Sequence, residues 1–264
     1  MFIKTAPLAL AMAALSAPWA ASAQAPACTH TAGMVVSLTG AAGRFGQAAS
    51  KSVELAFNEL NKAAGAGGIA GCKLAFDLRD AQSQGSVAVD QARQLVDLKK
   101  TPAIIGGIIS SVSIPIVTSV TGPGGVVQIS PASTSPTLTK LGNEGKSNGW
   151  FFRTITSDAL QGTAAAKYAM DQGMTTLAII NVNNDFGVNM LAEFRRAYEA
   201  LGGKIVSATP YNPQQPSYAA EVTNALKGDP PALYFIWKRW RPSARTVAAI
   251  LRATVSGDPT YSEP

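Results

Sequence analysis

"PAIIGGIISSVSIPIVTSVTGPGGVVQIS", residues 102–130, is the stretch that predicts the fold class of this chain. Two short apolar runs, "PAIIGG" at its start and "GVVQIS" at its end, have the length and composition of buried strands. Between them, Ser110–Val120 has the length of a short helix, which we expect Pro115 to interrupt. Two strands joined by a helical crossover lie parallel in one sheet. The stretch therefore predicts an α/β fold.

The same alternation extends toward the N-terminus. "SVAVDQARQLVDLKK" has the apolar spacing of an amphipathic helix and ends in two lysines, which a helix C-terminus favours. "CKLAFDLRD" alternates with the period of a strand, and the glycine-rich "AGAGGIAG" before it predicts a turn. The remaining elements predicted on this side are a helix over 47–63 and a strand, "GMVVSL", over 33–38.

Toward the C-terminus, the polar segment 140–148 is interpreted as a crossover, after which the alternation restarts. "WFFRTI" is predicted to be the first strand of a second unit, and Asp158 is predicted to cap the helix that follows. Further strands are predicted in 175–181, 204–210 and 232–236, and helices in 158–172, 187–201 and 217–226. The pattern predicts two doubly wound parallel-sheet lobes, residues 26–145 and 146–236.

The N-terminal 25 residues have the features of a secretory signal peptide. Lys4 precedes an apolar run, and small residues follow up to the expected cleavage after Ala23 or Ala25. We therefore expect export to the periplasm. In an oxidising compartment, Cys28 and Cys72 are predicted to form a disulfide, with two unpaired thiols as the alternative.

Most enzyme classes fit this sequence poorly. His30 is the one histidine of the 264 residues, which argues against histidine-based triads and most zinc sites. "GAAGRFG", residues 40–46, lacks both the Lys-Ser/Thr end of a phosphate-binding loop and the spacing of a dinucleotide-binding turn. We predict a protein that is not an enzyme and that uses no cofactor or metal.

Ligand-binding side chains are predicted at the strand ends, because ligands of open parallel sheets lie beyond the carboxyl ends of the strands. Hydroxyls and helix N-terminal N–H groups suit a carboxylate, and aromatic rings suit an apolar part or an ammonium group. A small carboxylate or zwitterion with an apolar part fits this set. Each residue has an alternative role as helix cap, core or solvated side chain. The candidates after successive strands are Thr39, Gly40, Arg44 and Phe45, then Ser110 and Ser111, then Ser133 and Thr134, and then Phe186.

Several stretches together resemble the periplasmic leucine/isoleucine/valine-binding protein family, the substrate receptors of branched-chain amino acid ABC transporters. They are residues 37–96, "IIGGIISSVSIP", "ISPASTSPTLT", "FFRTITSDALQGTAAAKYA" and "NNDFGVNMLAEFRRAYEALGG". The resemblance covers about residues 33–236. It implies a periplasmic binding protein of type I, whose two lobes close around a ligand about a hinge. The implied partners are a branched-chain amino acid or similar carboxylate and a membrane permease.

The resemblance also implies roles for individual residues. Ser110 and Thr134 occupy positions that bind the ligand carboxylate and amino group, and Ser133 one that makes a backbone contact. Phe45 and Phe186 correspond to aromatic residues that cover the ligand from the two lobes. The family often has tyrosine at the latter position, so phenylalanine here lacks one hydroxyl. Receptors of the same fold for amides, urea or aromatic acids, and an enzyme on a similar frame, remain alternatives.

The resemblance stops after Ile236, so the second lobe is expected to be incomplete and binding to be weak or absent. The last stretch, residues 237–264, has five basic residues against two acidic ones, half of the net charge of +6. "WKRWR" suggests a nucleic-acid surface and "TVAAILRAT" a short membrane-surface helix. We favour neither, and expect a tail translated out of frame in a truncated product, with no nucleic-acid partner.

Overall fold

The structure, a computed structural model, describes residues 28–65, 68–213 and 215–236. The predicted signal peptide, residues 1–25, and the basic tail, residues 237–264, lie outside these residues. The strands are β1 (Cys28–Val36), β2 (Cys72–Asp80), β3 (Ala103–Gly106), β4 (Val127–Ser130), β5 (Phe151–Arg153), β6 (Thr176–Val182), β7 (Lys204–Tyr211) and β8 (Leu233–Ile236). The helices are α1 (Gly43–Ala63), α2 (Gly85–Arg93), α3 (Ser110–Ile116), α4 (Gly122–Gly124), α5 (Pro136–Asn143), α6 (Asp158–Asp171), α7 (Asp185–Ala200) and α8 (Ala219–Ala225).

The first sheet has five parallel strands in the order β2-β1-β3-β4-β5. The chain starts at β1, second from one edge, moves to that edge with β2 and then crosses to the other side of β1. This is a doubly wound arrangement, and its direction changes between β1 and β3. Ligands of such sheets lie beyond the carboxyl ends of the strands at that point. The α/β prediction is confirmed, and the crossover helices expected between the strands are present.

The strand predicted to open the second lobe lies instead in the first sheet. Phe152 is in register with Ile129 of β4, and Arg153 with Ser130. The first sheet therefore continues to Arg153, beyond the lobe boundary expected after residue 145. The chain passes from the first sheet to the second between Arg153 and Asp158, because α6 packs its buried residues with the second core. A three-residue strand has no local feature that fixes which sheet it joins.

The second sheet, with the order β7-β6-β8, repeats the design of the first. Its first strand is central, its second strand lies on one side and its third on the other. The turn that leads from the first strand into the next helix, from β1 into α1 and from β6 into α7, is equally tight in both sheets. A Cβ on Gly46 would lie 1.9 Å from the Ser37 carbonyl oxygen, and one on Gly187 would lie 1.9 Å from that of Val182. Both turns therefore require glycine.

Helix boundaries differ from the predicted ones in ways that concern the strand ends. Ser157, rather than Asp158, caps α6, and its hydroxyl accepts from Ala159 N at 3.4 Å. The helix α5 was not predicted; Ser135 caps it by accepting from Thr137 N. Pro115 does not interrupt α3, which runs through it to Ile116 and then widens into a π-helical turn over Val117–Thr121.

Each sheet has its own hydrophobic core. Met34, Val35 and Val36 of β1 are fully buried, as is Ile104 of β3. The second core surrounds β6 and includes Phe194 and Tyr198 of α7, whose rings stack at 5.1 Å. The two separate cores support the assignment of a first lobe, the first sheet with α1–α5, and a second lobe, the second sheet with α6–α8.

The structure joins Cys28 and Cys72 by a disulfide at the first residues of β1 and β2. These residues are direct neighbours in the parallel register, so the link holds together the strand ends farthest from the predicted ligand site.

Within the described ranges, no helix combines the length and the apolar character that crossing a membrane requires.

Candidate functional site

The predicted ligand residues of the first lobe lie in two loops that contact each other. The Ser110 hydroxyl accepts from Ser135 N at 3.2 Å, which connects the start of α3 with the loop after β4. Ser110 is fully buried and is the first helical residue, because the cap position is Ile109. The helix-cap alternative for Ser110 is therefore wrong. The structure brings the Ser110 and Ser133 regions together, as the strand-end argument predicted.

A hydroxyl network beneath these loops centres on the Gly107 carbonyl. Ser130 Oγ donates to that oxygen at 2.7 Å, and the hydroxyls of Ser113 and Ser133 each lie 3.3 Å from it. Ser113 and Ser133 are also 2.7 Å apart at their Oγ atoms. The Ser133 hydroxyl thus serves the loop's internal structure, and a backbone contact of Ser133 to a ligand stays a prediction. Ser113 and Ser130 were not among the predicted residues.

Thr134 is the loop residue whose side chain has no partner in the part of the chain that the structure describes. Its Oγ1 is buried and has no hydrogen bond to any of the residues that the structure describes. Its carbonyl, in contrast, accepts from Asp158 N at 2.9 Å. Buried hydroxyls are almost always hydrogen-bonded, and an exception calls for an explanation in strain, water or ligand. Thr134 Oγ1 can donate one hydrogen bond and accept others.

The aromatic candidates lie partly or wholly in the two cores. Phe45 is half-buried and packs against the first core, while Arg44 beside it is exposed. Phe186 is 7% exposed and belongs to the second core. Ser111 is half-buried. Phe186 is therefore a core residue, which was the alternative considered for it. Its role in covering a ligand stays a prediction.

The loop after β1 is fixed by two residues of the β2–α2 connection. Asp80 accepts from Leu38 N at 2.8 Å and from Thr39 Oγ1 at 2.7 Å. Ser83 Oγ donates to Thr39 O at 2.9 Å and accepts from Ala42 N at 3.0 Å. Desolvation would raise the pKa of Asp80, but these hydrogen bonds outweigh it and lower the pKa. Asp80 and Ser83 lie at the carboxyl end of β2, the same edge of the sheet as the other candidates. This position in the sequence could have identified them as residues that shape the site.

On the second lobe, sequence reasoning missed the half-buried Tyr234, whose hydroxyl is influenced by the buried carboxylate of Asp158. The Tyr234 ring lies 4.5 Å from that of Phe194. Burial, together with the Asp158 carboxylate, raises the pKa of the Tyr234 hydroxyl to about 12. Asp158 is fully buried at the start of α6. The phenol therefore stays protonated at physiological pH.

Two surface grooves lie away from the predicted ligand residues. The larger, about 510 Å³, lies between α5 and the start of α6, and none of the nine candidate ligand residues lines it. The other, about 430 Å³, lies at the amino ends of β1 and β3 and includes His30. It is on the wrong edge of the sheet for a ligand of this fold. The hydroxyl network between α3 and the loop after β4, rather than either groove, forms the candidate site.

The site offers hydroxyls, backbone N–H groups and apolar surface rather than acid–base chemistry. In the described part of the chain, no three histidine, cysteine, aspartate or glutamate side chains are grouped so as to hold a metal ion. Such a set is suited to a small ligand that accepts hydrogen bonds at one end and is apolar at the other.

Comparison with known proteins agrees with this geometry. The family profile described as periplasmic binding protein matches residues 29–238. The Leu/Ile/Val-binding protein BraC3 of Rhizobium johnstonii is 27% identical over 206 residues, which are 78% of this chain and 53% of that protein. A Leu/Ile/Val-binding protein homolog of Brucella melitensis gives the same identity and coverage. The chain thus spans about half the length of the curated relatives it matches.

Solved structures share the fold at lower identity. The leucine binding protein LivK of Thermotoga maritima superposes with a TM-score of 0.71 at 22% identity, covering 87% of this chain and 61% of that one. The branched-chain amino acid binding protein LivJ of Streptococcus pneumoniae, in complex with isoleucine, gives 0.68 at 23%, covering 89% and 62%. A Rhodopseudomonas palustris solute binding protein, in complex with 4-hydroxybenzoate, gives 0.71 at 18%, covering 87% and 59%. The predicted type I fold is confirmed.

Proposed function

Because this chain belongs to the periplasmic binding protein family, we propose that it is the solute receptor of an ABC transporter. The family is one of binding proteins, in agreement with the prediction of a protein that is not an enzyme. The proposed solute is a small carboxylate with an apolar part, in the first place a branched-chain amino acid. The proposed location is the periplasm, and the proposed partner of the loaded receptor is a membrane permease.

The observation that carries the proposal is the buried hydroxyl of Thr134, which has no hydrogen-bond partner within residues 28–65, 68–213 and 215–236. It lies in the loop after β4, beside the Ser110–Ser135 contact, where a doubly wound sheet binds its ligand. A carboxylate oxygen accepting from this hydroxyl would satisfy it, and a charged acceptor makes that bond stronger than a neutral one. Ser110, Ser111 and Phe45 are proposed to complete the first-lobe half of the site, and Phe186 to contribute from the second lobe.

We propose that binding draws the lobes together about the connection between Arg153 and Asp158. Solute-binding proteins of two lobes close by hinge motion about a few connecting residues. In the structure, Thr137 of α5 and Asn189 of α7 already form a hydrogen bond between the lobes at 3.3 Å.

A calorimetric titration of the 264-residue chain with leucine, 4-hydroxybenzoate and urea tests the proposal. Leucine and 4-hydroxybenzoate share a carboxylate, while leucine alone adds an ammonium group and urea has neither. Heat of binding with leucine alone supports an amino acid receptor, and heat with 4-hydroxybenzoate alone supports an aromatic-acid receptor. Binding of urea alone, or of none of the three, would contradict a carboxylate site.

A further inference from the structure

Three consecutive carbonyl groups of the proposed ligand loop are held from outside the loop. Arg153 Nη1 donates to Ser133 O at 3.3 Å and to Ser135 O at 3.0 Å. The carbonyl between them, that of Thr134, accepts from Asp158 N at 2.9 Å. Because all three carbonyl oxygens accept hydrogen bonds from these donors, the backbone orientation of residues 133–135 is fixed. Neither Arg153 nor Asp158 was a candidate from the sequence.

The guanidinium of Arg153 also connects the loop to α5. Its Nη2 donates to Thr139 Oγ1 at 2.6 Å, while Nη1 contacts the two carbonyls. A planar fork of donors can reach three acceptors at once, whereas a lysine ammonium is a single flexible point charge. Burial lowers the pKa of Arg153, and the nearby Asp158 carboxylate works against that shift. The guanidinium stays charged, so its hydrogen bonds are charge-assisted.

The loop is also held by Ser130, at the end of β4. Ser133 N donates to Ser130 Oγ at 3.0 Å, and Ser130 Oγ donates in turn to Gly107 O. Arg153 is in register with Ser130, so the two residues hold the loop from adjacent strands of the sheet. Held by these residues, the loop presents the Thr134 hydroxyl without a protein partner among the described residues.

We propose that Arg153 is a positioning residue of the ligand site, which holds the loop of residues 133–135 in the conformation that binds the solute. It acts through the loop and does not touch the ligand. This role rests on the proposed function. Asp158 shares the task through its backbone N–H, and it links the loop with Tyr234 of the second lobe through their mutual electrostatic effect.

The test compares Arg153→Gln and Arg153→Lys with Arg196→Gln, a control that removes an exposed arginine paired with Glu193 on α7. Because Arg153→Gln removes charge-assisted bonds to the loop, we expect leucine to bind about tenfold more weakly or worse, with partial recovery in Arg153→Lys. The control should bind as the unaltered chain does. Binding by Arg153→Gln within about twofold of the unaltered chain would overturn the role.

A combination with Thr134→Val separates positioning from general destabilisation. If Arg153 acts through the Thr134 loop, its removal should cost less than about threefold in affinity once the Thr134 hydroxyl is gone, since coupled residues are not additive. Full additivity would overturn the proposal. Thr139→Val, which removes one of the three Arg153 acceptors, replaces Arg153→Gln if the latter does not fold, and it should weaken binding by about twofold to fivefold.

Hydrogen exchange without ligand distinguishes failure of this role from failure of the proposed function. Peptides covering residues 131–140 should exchange faster in Arg153→Gln than in the unaltered chain and in Arg196→Gln. Unchanged exchange there would overturn the loop-holding role even if the chain binds leucine. Faster exchange in a chain that binds no carboxylate would contradict the proposed function while supporting the contact itself.

Discussion

Thr137 Oγ1 donates a hydrogen bond to Asn189 Oδ1 at 3.3 Å and thereby connects the two lobes directly. Thr137 lies in the first turn of α5, next to the proposed ligand loop, and Asn189 lies in the first turns of α7, next to Phe186. Asn189 is held in turn by its amide, which donates to Asp185 O at 2.7 Å. The contact joins the two helix starts that flank the site.

Removing this contact should weaken ligand binding without unfolding either lobe. Thr137→Val keeps the shape of the side chain and loses the hydroxyl, so we expect a cost of about 0.5–1.5 kcal/mol, or roughly twofold to tenfold in leucine affinity. A double-mutant cycle with Asn189→Ala, measured by calorimetry, isolates the pair. Thr163→Val, at an exposed hydroxyl that bonds Ala159 O within α6, is the control. A zero coupling energy between Thr137 and Asn189 would contradict the account.

The carboxylate of Asp80 should stabilise the fold in a way that depends on pH. Its pKa is lowered in the folded protein from a model-peptide value of 3.8. The stabilisation is therefore complete above that value and is lost as the pH falls through the lower, folded pKa. Asp80→Asn should cost about 1 kcal/mol at pH 7, because charge-assisted bonds become neutral ones. In urea unfolding, the difference from the unaltered chain should shrink at pH 3; a constant difference would argue against this cause.

The two glycines at the strand-to-helix turns should not tolerate a side chain. In Gly46→Ala and Gly187→Ala the new Cβ would meet a carbonyl oxygen at 1.9 Å, so the backbone must move. We expect a loss of about 3 kcal/mol or more in the free energy of unfolding for each variant. Gly142→Ala in α5, whose Cβ would meet nothing nearer than 3.8 Å, should be neutral or stabilising. Equal melting temperatures for all three would refute the tight-turn argument.

The disulfide between Cys28 and Cys72 should contribute substantially to stability. It closes a loop over a sequence separation of 44, and a cross-link of this kind stabilises mainly by restricting the unfolded chain. The double variant Cys28→Ala/Cys72→Ala should lose about 2–4 kcal/mol in urea unfolding. Since the bond lies at the strand ends opposite the site, leucine affinity should be unchanged wherever the variant is folded. A large change in affinity would show that the two ends of the sheet are coupled.

The order of strands and helices could be predicted because it rests on local periodicity. β3, α3 and β4 all lie within residues 102–130, where the apolar runs favour two buried strands separated by a helix. The sheet to which β5 belongs could not be predicted, since Phe152 pairs with Ile129 through contacts that no short segment encodes. The cap of α6 was shifted by one residue because serine and aspartate are about equally good caps.

Among the site residues too, some could be predicted from the local sequence and others depend on distant contacts. Ser110, Ser133 and Thr134 were predicted because they follow strand ends, and the structure brings their loops together. Arg153 and Asp158 were missed because their contacts are with backbone carbonyls, and a carbonyl acceptor leaves no trace in the sequence. The packing of Phe186 in the second core depends on the whole lobe and was left open for that reason.

The most direct test of the central claim compares Thr134→Val with Thr134→Ser in a calorimetric titration with leucine. Valine removes the Thr134 hydroxyl while keeping the volume, and serine keeps a hydroxyl. If this hydroxyl binds the solute carboxylate, Thr134→Val should weaken leucine binding about tenfold to a hundredfold, because a hydrogen bond to a charged group is lost. Thr134→Ser should stay within about threefold of the unaltered chain. Equal affinities of the unaltered chain and Thr134→Val would contradict the claim.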